Sequence, residues 1–388
     1  MFQPLFQELL QLSVQTIRVA DALQHLKTLG RAGRAEPLAE PKMLENSPKT
    51  TSKLKISQII DARSPGEFAL DRLPGAENWP VLDDEERALI GTMYKQINSF
   101  EAQKKGAGLV AANIAKHIES KVLELPRDWQ PLIYCWRGGK RSGSLATVLG
   151  AIGFKVQLLE GGYKAFRSAV IEDIPASVEG LNFQVICGPT GSGKTLLLHK
   201  LKEQGAQVLD LELIAAHRSS VLGKIPGTAQ PSQKSFETTL WFELNQLDPS
   251  RVVYVESESR KIGNLSVPES LIMRMRASPC VDLQLPISER VKLLLAEYHF
   301  FVEDGELFMQ RLQALLPLLG KDVITRWGEW IKAKETPRVV EELLSLHYDP
   351  AYSGSIERNF VQFKTARACV IDAYTENAFM SAAKQVMC

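Results

Sequence analysis

The segment Gly188–Thr195 constrains the fold of this chain more than any other feature. It reads GPTGSGKT, fits the pattern GxxxxGK[ST], follows the apolar run Phe183–Cys187 and precedes the helical run Leu196–Leu201. The pattern works when a strand leads into a glycine-rich loop and a helix, because the loop amides and the helix amino terminus then bind a phosphate group. The segment therefore predicts an α/β domain with a phosphate-binding P-loop.

Six residues of this loop are candidate phosphate ligands. Lys194 would neutralise the charge of a diphosphate, and the hydroxyl of Thr195 is a candidate ligand for Mg²⁺. A second carboxylate often completes such a site from a nearby strand end, where Glu256 and Glu258 stand; a solvated strand-end glutamate is the alternative. ATP, GTP and prenyl diphosphates present the same oxygens, so the motif alone does not choose among them. The six residues are Gly188, Gly191, Ser192, Gly193, Lys194 and Thr195.

A second informative feature is the loop around Cys135. The run Leu132–Ser142 reads LIYCWRGGKRS, which predicts a strand, a tight turn and a helix that Ser142 caps. Two glycines allow the turn, and three basic residues surround the cysteine with positive charge. Such surroundings favour the thiolate, which is the nucleophilic form, and they also hold an anion beside the sulfur. The alternative is a buried cysteine at a strand end.

The cysteine loop is one of four segments that occur in the order found in rhodanese domains. On these segments, residues 55–175 resemble the rhodanese family. The resemblance implies that Cys135 carries a persulfide, or a perselenide in selenium-handling members, and that Arg141 is the characteristic loop arginine. The four segments are Asp61–Phe68, Leu73–Pro80, Leu132–Ser142 and Leu159–Tyr163.

The N-terminal residues 1–54 are predicted to form an extension and a linker. Apolar residues within 1–29 have loosely helical spacing, which indicates a short packing helix. Residues 30–53 are rich in Gly, Pro, Ser, Lys and Glu, which is typical of a flexible linker. We therefore expect residues 1–54 to be dispensable for activity.

The rest of the chain is predicted to form two α/β domains with parallel sheets. A rhodanese-like domain over residues 55–175 is followed by a P-loop domain over 181–388, whose part after Ile287 has a helical pattern. A charged, helix-like stretch over 83–122 is longer than a minimal rhodanese domain needs. The predicted strands are Ile56–Ile60, Pro131–Tyr134, Val156–Leu159, Phe183–Cys187, Val208–Leu209, Val252–Val255 and Val281–Leu285.

Composition narrows the cellular setting. The net charge of +1 predicts no general affinity for nucleic acid, so any such surface must be a local patch. Five widely spaced cysteines without a CxxC pair argue against a disulfide framework and a zinc site, which favours the reducing cytoplasm. Neither a membrane-spanning apolar run nor a secretory signal is predicted.

A local basic patch is predicted in the P-loop half. Basic residues interleaved with aromatic ones suit contacts with RNA phosphates and stacking with bases. A solvated helix face is the alternative interpretation. The first group of candidates is Arg260, Lys261, Arg274 and Arg276, and the second is Lys321, Arg326, Lys332, Lys334 and Arg338, with Trp327 and Trp330 among them.

The order of a rhodanese domain and then a P-loop in one chain resembles the tRNA 2-selenouridine synthase family. The resemblance extends over residues 55–375, and it departs from the family's pattern at Ser219 and Ser220, where glycines are expected. Its segments are Tyr134–Gly139, Gly188–Thr195, Ala216–Arg218, Glu256–Arg260 and His347–Pro350.

The resemblance implies an enzyme that replaces sulfur by selenium in 2-thiouridine at the wobble position of tRNA. Geranyl diphosphate would first alkylate the sulfur, and selenophosphate would supply selenium. No tightly bound cofactor is implied, and Mg²⁺ at Thr195 stays a candidate from the P-loop motif. A selenophosphate-producing enzyme is a candidate partner. Two alternatives keep both motifs: an ATP-dependent sulfurtransferase or kinase, and a nucleotide-regulated sulfur carrier. The sulfurtransferase or kinase would need nucleotide turnover. The sulfur carrier would need neither RNA nor prenyl transfer.

Overall fold

The computed structural model describes residues 13–32, 55–218 and 228–388, so most of the predicted linker, together with Ser219 and Ser220, lies outside the described residues. The chain divides into two compact units. The first comprises Met1–Ile174 with Pro231–Gln246, and the second comprises Pro175–Gln230 with Leu247–Cys388. The segment Pro231–Gln246 therefore groups with the cysteine loop, although it follows the P-loop in sequence.

The first unit contains a five-stranded parallel sheet, which confirms the predicted α/β class. Its strand order is β1-β5-β4-β2-β3, and each neighbouring pair runs parallel. The strands are β1 (Val14–Ile17), β2 (Gln58–Asp61), β3 (Ala76–Asn78), β4 (Pro131–Tyr134) and β5 (Val156–Leu159). The helices are Val19–Ala32, Pro65–Leu70, Asp84–Gln96, Ser99–His117, Lys140–Ile152, Gly162–Glu179 and Gln233–Gln246, with a π-helical turn at Ile118–Val122.

The N-terminal strand β1 departs from the sequence prediction, which gave residues 1–29 a helix. Val14–Ile17 pairs in parallel with Val156–Leu159, and the helix begins only at Val19. β-branched residues favour a strand, and an edge strand of four residues is too short to show a clear alternation of apolar and polar positions. Ile17 is buried, so this strand contributes to the core of the unit.

Aromatic packing anchors the long stretch over residues 83–122 to the first sheet. The Trp79 ring stacks on His117 at 5.7 Å and on Trp129 at 5.9 Å between ring centroids. Both tryptophans belong to one apolar core with strand and helix residues such as Ile133. The helix Ser99–His117 is therefore part of the packed unit.

The second unit contains a second five-stranded parallel sheet, of order β12-β11-β6-β8-β7. The sequence predicted four of its strands and missed β12. The strands are β6 (Asn182–Cys187), β7 (Gln207–Leu209), β8 (Val252–Glu256), β11 (Cys280–Gln284) and β12 (Arg367–Val370), beside a small antiparallel pair, β9 (Lys261–Ile262) and β10 (Leu265–Ser266).

Helices make up most of the chain after Ile287, as predicted. Among the described residues, no helix is both long and apolar enough to cross a membrane. The α-helices of this unit are Lys194–Glu203, Leu211–Ala215, Glu269–Arg276, Ile287–Glu297, His299–Glu303, Gly305–Leu312, Leu316–Leu319, Lys321–Lys332, Thr336–Leu343, Asp349–Asn359 and Glu376–Met387. Shorter 3₁₀ or π turns lie at Gln313–Leu315, Leu344–Tyr348 and Phe363–Thr365.

The sheet order of the second unit positions a site at one edge. Parallel strands β6, β7 and β8 are neighbours, so the segments that follow them leave the same edge of the sheet. Ligands of open α/β sheets bind outside the carboxyl ends of the strands. The P-loop follows β6, and Glu256 ends β8, as the sequence predicted.

Candidate functional site

Cys135 lies directly after β4 and is 3% exposed. Its sulfur accepts a hydrogen bond from the Ser142 hydroxyl at an Oγ–Sγ distance of 3.1 Å. The predicted capping role of Ser142 is wrong, because the helix begins at Lys140 with Gly139 as its N-cap. Ser142 instead lies in the first turn of that helix, where its hydroxyl reaches the thiol.

Close backbone packing fixes the cysteine loop. The amide of Tyr163 donates to the carbonyl of Cys135 at 2.8 Å. Gly162 has a φ of +59°, and a Cβ added there would lie 2.3 Å from the Cys135 carbonyl oxygen. Only glycine fits this approach. The predicted segment Leu159–Tyr163 thus acts as the support of the loop.

A cavity of about 280 Å³ lies beside the loop in the first unit. Four cationic side chains and one carboxylate line it, so it favours an anion. Lys234, which comes from the helix Gln233–Gln246, places its ammonium 5.8 Å from the centroid of the Trp136 ring. The lining residues are Arg63, Glu67, Leu70, Arg87, Trp136, Arg141, Tyr163 and Lys234.

Arg141 is held in place by Glu67. Its Nη1 lies 2.6 Å from Glu67 Oε2, and Arg87 Nε lies 3.0 Å from the same oxygen. Burial alone would raise the pKa of Glu67, but hydrogen bonding and charge from Arg141, with further help from Arg87, hold that pKa below its usual value. One carboxylate therefore orients two arginines towards the cavity.

A buried polar network connects the helix Gln233–Gln246 to the cysteine loop. Asp71 accepts hydrogen bonds from the Tyr163 hydroxyl at 2.8 Å and the Thr238 hydroxyl at 2.9 Å. Burial raises the pKa of Asp71, and these hydrogen bonds oppose the rise. Sequence reasoning missed Thr238 and Lys234, because no local pattern indicates that this helix packs on the first unit.

The P-loop has the backbone geometry that its sequence predicted. Gly193 has a φ of +84°, and a Cβ there would lie 2.5 Å from the Phe379 ring. The Lys194 ammonium donates to the Gly188 carbonyl at 2.9 Å, and Thr195 follows it in the first turn of the helix Lys194–Glu203. Ser192 is buried, and its hydroxyl oxygen has no hydrogen-bond partner among the described residues.

Arg290 braces the P-loop, although no motif in the sequence indicated this role. Its Nε and Nη2 donate to the carbonyl of Thr190 at 3.0 and 2.7 Å. The same guanidinium contacts both oxygens of Asp349 at 3.0 and 2.6 Å. Asp349, which belongs to the segment His347–Pro350, thus holds in place the arginine that contacts the loop.

Three glutamates converge beside the P-loop. Glu256 and Glu258 are both buried, and Glu212 lies in the short helix Leu211–Ala215 that follows β7. Burial first, and then the charge of Glu212 and that of Glu258, raise the pKa of Glu256 well above its usual value, against the opposing effects of Lys194 and a hydrogen bond from Thr195. Glu212 was not among the predicted site residues.

The first basic group is only partly available to RNA. Arg260 and Lys261 are exposed, and Arg260 contacts Glu269 at 2.9 Å. Arg274 directs its guanidinium to the carbonyl of Leu181 at 3.0 Å. Nε of Arg276 is buried. Arg260 and Lys261 are therefore the members of this group that are better placed to contact RNA phosphates.

The second basic group surrounds one of the two predicted stacking tryptophans. Trp330 lies between Arg326 and Arg338, whose guanidinium carbons are 5.5 and 4.3 Å from its ring centroid. Trp327 is fully buried and donates its indole N–H to Glu342 at 2.6 Å. The prediction that Trp327 stacks on bases is therefore wrong, because its ring fills the helical core.

Known proteins match both parts of the chain. The model of the tRNA 2-selenouridine synthase AAA domain matches residues 181–316, and the rhodanese-like domain model matches residues 42–169. A tRNA 2-selenouridine synthase of Nitrosomonas europaea is 33% identical over 363 residues, covering 81% of this chain and 93% of the relative. One from Cupriavidus necator is 34% identical over 352 residues, with the same two coverages. A third, from Marinobacter nauticus, is 36% identical over 243 residues, covering 62% of this chain and 65% of the relative.

Proposed function

The chain belongs to the tRNA 2-selenouridine synthase family, and we propose that it converts wobble 2-thiouridine into 2-selenouridine through an S-geranyl intermediate. The family consists of enzymes that transfer selenium to tRNA. Geranyl diphosphate would donate the prenyl group and selenophosphate the selenium, with no tightly bound cofactor. The observation that supports this proposal most is that one chain holds both a braced P-loop and a buried thiol whose loop contributes Trp136 and Arg141 to a cation-lined cavity.

The P-loop would serve the prenyl-transfer step. The sulfur of 2-thiouridine attacks carbon 1 of geranyl diphosphate, the C–O bond breaks, and pyrophosphate leaves with the electron pair. Negative charge grows on the departing oxygen, and fixed donors are most effective where charge develops. Lys194 and the amides of Gly191–Thr195 would supply those donors, and Thr195 would hold Mg²⁺.

The cysteine loop would serve the selenium step. Geranylation turns the sulfur into a better leaving group. The selenium of selenophosphate would attack carbon 2 of the base and expel geranylthiol, and hydrolysis of the P–Se bond would then release inorganic phosphate. Cys135 would handle the selenium, and the cavity beside it would hold the anionic donor through Arg87, Arg141 and Lys234. Charge-assisted hydrogen bonds from arginine suit a tetrahedral oxyanion.

The proposal also specifies the setting of the reaction. The macromolecular substrate is tRNA that already carries 2-thiouridine at the wobble position. A selenophosphate-producing enzyme would supply the selenium donor. A cytoplasmic location follows from the tRNA substrate.

Reconstitution with purified protein tests the proposal. Thiolated tRNA is incubated first with geranyl diphosphate and then with selenophosphate, and nucleosides are measured by mass spectrometry after each addition. We expect S-geranyl-2-thiouridine and then 2-selenouridine. Parallel reactions with ATP or GTP in place of geranyl diphosphate test the sulfurtransferase alternative, and nucleotide turnover without geranylation would contradict the proposal.

A further inference from the structure

An apolar cavity in the second unit lies directly beside the P-loop. Thr190 belongs to both, because it is a residue of the loop and also lines the cavity. Leu294, another lining residue, packs so closely on the loop that a Cβ added to Gly191 would lie 2.9 Å from its Cδ1 atom. We infer that this cavity binds the hydrocarbon chain of a diphosphate ester whose diphosphate lies in the P-loop. The identity of that chain as a prenyl group rests on the proposed function.

Apolar side chains form most of the cavity wall. Leucine, valine and phenylalanine side chains predominate, among them Leu295, Leu343 and the stacked pair Phe301 and Phe308, whose ring centroids are 5.2 Å apart. Among the described residues, no charged side chain lines the cavity. Removing hydrocarbon from water is favourable, whereas burying an unpaired polar group is costly. The wall therefore selects a hydrocarbon ligand.

This wall separates the ligands that the P-loop motif leaves open. The base and ribose of ATP or GTP carry several hydrogen-bond donors and acceptors, and the wall offers them little beyond the hydroxyls of two threonines, Thr190 and Thr336, and of two tyrosines. A nucleoside in this cavity would leave polar groups unpaired, which weakens binding. A prenyl diphosphate presents the same phosphate oxygens to the loop and only carbon to the cavity.

The size of the cavity indicates how much of a chain it encloses. Its volume is about 40 Å³. On such a measure one water needs about 10–15 Å³, so the enclosed part has room for about three water-sized groups, which is comparable to one branched isoprene unit. Val302 lines the cavity and is 48% exposed, so the cavity reaches the protein surface there. A geranyl chain, which has two isoprene units, would therefore continue past Val302.

The Arg290 brace connects the cavity to the P-loop. Nη2 of Arg290 donates to the Thr190 carbonyl at 2.7 Å and lies 2.6 Å from Asp349 Oδ1. Tyr348, the neighbour of Asp349 in sequence, lines the cavity. The segments that shape the cavity thus also hold the loop, which fixes the chain relative to the diphosphate. In prenyl transfer, carbon 1 would lie at the boundary between the two, where the sulfur of 2-thiouridine attacks.

Calorimetry with the purified full-length protein tests the cavity. The probes are inorganic pyrophosphate, dimethylallyl diphosphate and geranyl diphosphate, with Mg²⁺ present and without tRNA. Val302→Trp fills the mouth of the cavity, and Leu295→Asn places an amide in its wall. The matched control is Val361→Trp, which makes the first of these changes at an exposed position of the same unit. Circular dichroism and thermal unfolding verify that each variant folds.

The affinity of the wild type should increase from pyrophosphate to dimethylallyl diphosphate to geranyl diphosphate, by at least about tenfold overall, because each carbon removed from water strengthens binding. The heat capacity change of binding should become more negative in the same order. Val302→Trp and Leu295→Asn should bind geranyl diphosphate at least about tenfold more weakly and keep the wild-type affinity for pyrophosphate. Val361→Trp should match the wild type with every probe.

Two results would overturn the inference. Equal affinities of the wild type for pyrophosphate and geranyl diphosphate would do so without any variant, and so would wild-type affinity for geranyl diphosphate in folded Val302→Trp and Leu295→Asn. Geranyl transfer to thiolated tRNA is measured separately, so the two proposals can fail independently. Chain-dependent binding that both variants lose, without geranyl transfer by the wild type, supports the cavity and contradicts the proposed function. Geranyl transfer at the full rate by both variants, with unchanged affinity, contradicts the cavity alone.

Discussion

The hydroxyl of Ser142 donates a hydrogen bond to the sulfur of Cys135 across 3.1 Å. Both residues are buried, and the hydroxyl comes from the first turn of the helix that follows the loop. A hydrogen bond from a fixed donor stabilises negative charge on sulfur, and the positive end of the helix dipole acts in the same direction. This hydrogen bond fixes the position of the thiol that we propose as the reactive group of the first unit.

Replacing Cys135 with alanine should abolish 2-selenouridine formation while S-geranyl-2-thiouridine still accumulates. The substitution removes the thiol that we propose handles selenium, and it leaves the P-loop unchanged. Mass spectrometry of tRNA nucleosides measures both products. Cys388→Ala is the control, since that cysteine is exposed at the end of the chain. Normal amounts of selenouridine from Cys135→Ala would exclude this cysteine from the reaction.

Replacing Lys194 with alanine should slow geranyl transfer. Loss of one donor to a developing oxyanion costs about 3 kcal/mol, which is roughly a hundredfold in rate. Geranyl transfer to thiolated tRNA by the purified variant provides the measurement. Lys202→Ala removes an exposed lysine from the same helix and should leave the rate unchanged. An unchanged rate for Lys194→Ala would remove the P-loop from prenyl transfer.

Replacing Arg290 with glutamine should weaken diphosphate binding although Arg290 is not a proposed ligand. The variant loses charged hydrogen bonds to Thr190 and Asp349, each worth about 1.5–3 kcal/mol, so the P-loop is less well ordered before binding. We expect at least about tenfold weaker binding of geranyl diphosphate by calorimetry. Lys292→Gln on the same helix is the control, and equal affinities in the two variants would show that the brace is dispensable.

Replacing Ile17 with alanine should lower the stability of the first unit. The side chain is 7% exposed, and such truncations cost about 2–5 kcal/mol. The exposed neighbour Gln15 is the control, since Gln15→Ala should change stability by less than about 0.5 kcal/mol. Thermal unfolding measures the stability of both variants.

Deletion of residues 1–54 should also destabilise the protein, because it removes β1 from the sheet of the first unit. A truncated protein that is as stable as the full-length chain would contradict a structural role for β1.

Reversing the charges of Arg260 and Lys261 to glutamate should weaken tRNA binding. Each lost phosphate contact reduces the log–log salt slope by about 0.7 on the single-strand coefficient. Filter-binding titrations at several salt concentrations measure the slope, and geranyl diphosphate affinity should stay unchanged. The comparison variant reverses Lys104 and Lys105, which lie on the charged helix of the first unit. If only that variant lost affinity for RNA, the RNA-binding surface would lie on the helix that carries Lys104 and Lys105, and not at Arg260 and Lys261.

Local sequence patterns predicted the parts of the sites that are local in the chain. The P-loop and the cysteine loop each depend on a strand, a turn and a helix start within about a dozen residues, so their motifs were sufficient. Glu212, Thr238 and Arg290 act through contacts with segments distant in sequence, and no spacing indicates such contacts. Trp327 was misassigned for a related reason, because a tryptophan flanked by basic residues has the same pattern on a surface and in a core.

The return of the helix Gln233–Gln246 to the first unit limits how this protein can be dissected. A fragment that ends before residue 181 would lack Thr238 and Trp241, whose partners Asp71 and Asp173 would lose their hydrogen bonds. The complementary fragment would carry this helix without Asp71 and Asp173, the partners of its Thr238 and Trp241 side chains. The two halves are therefore interlaced along the chain, and co-expression of separately encoded halves is a poor route to either activity.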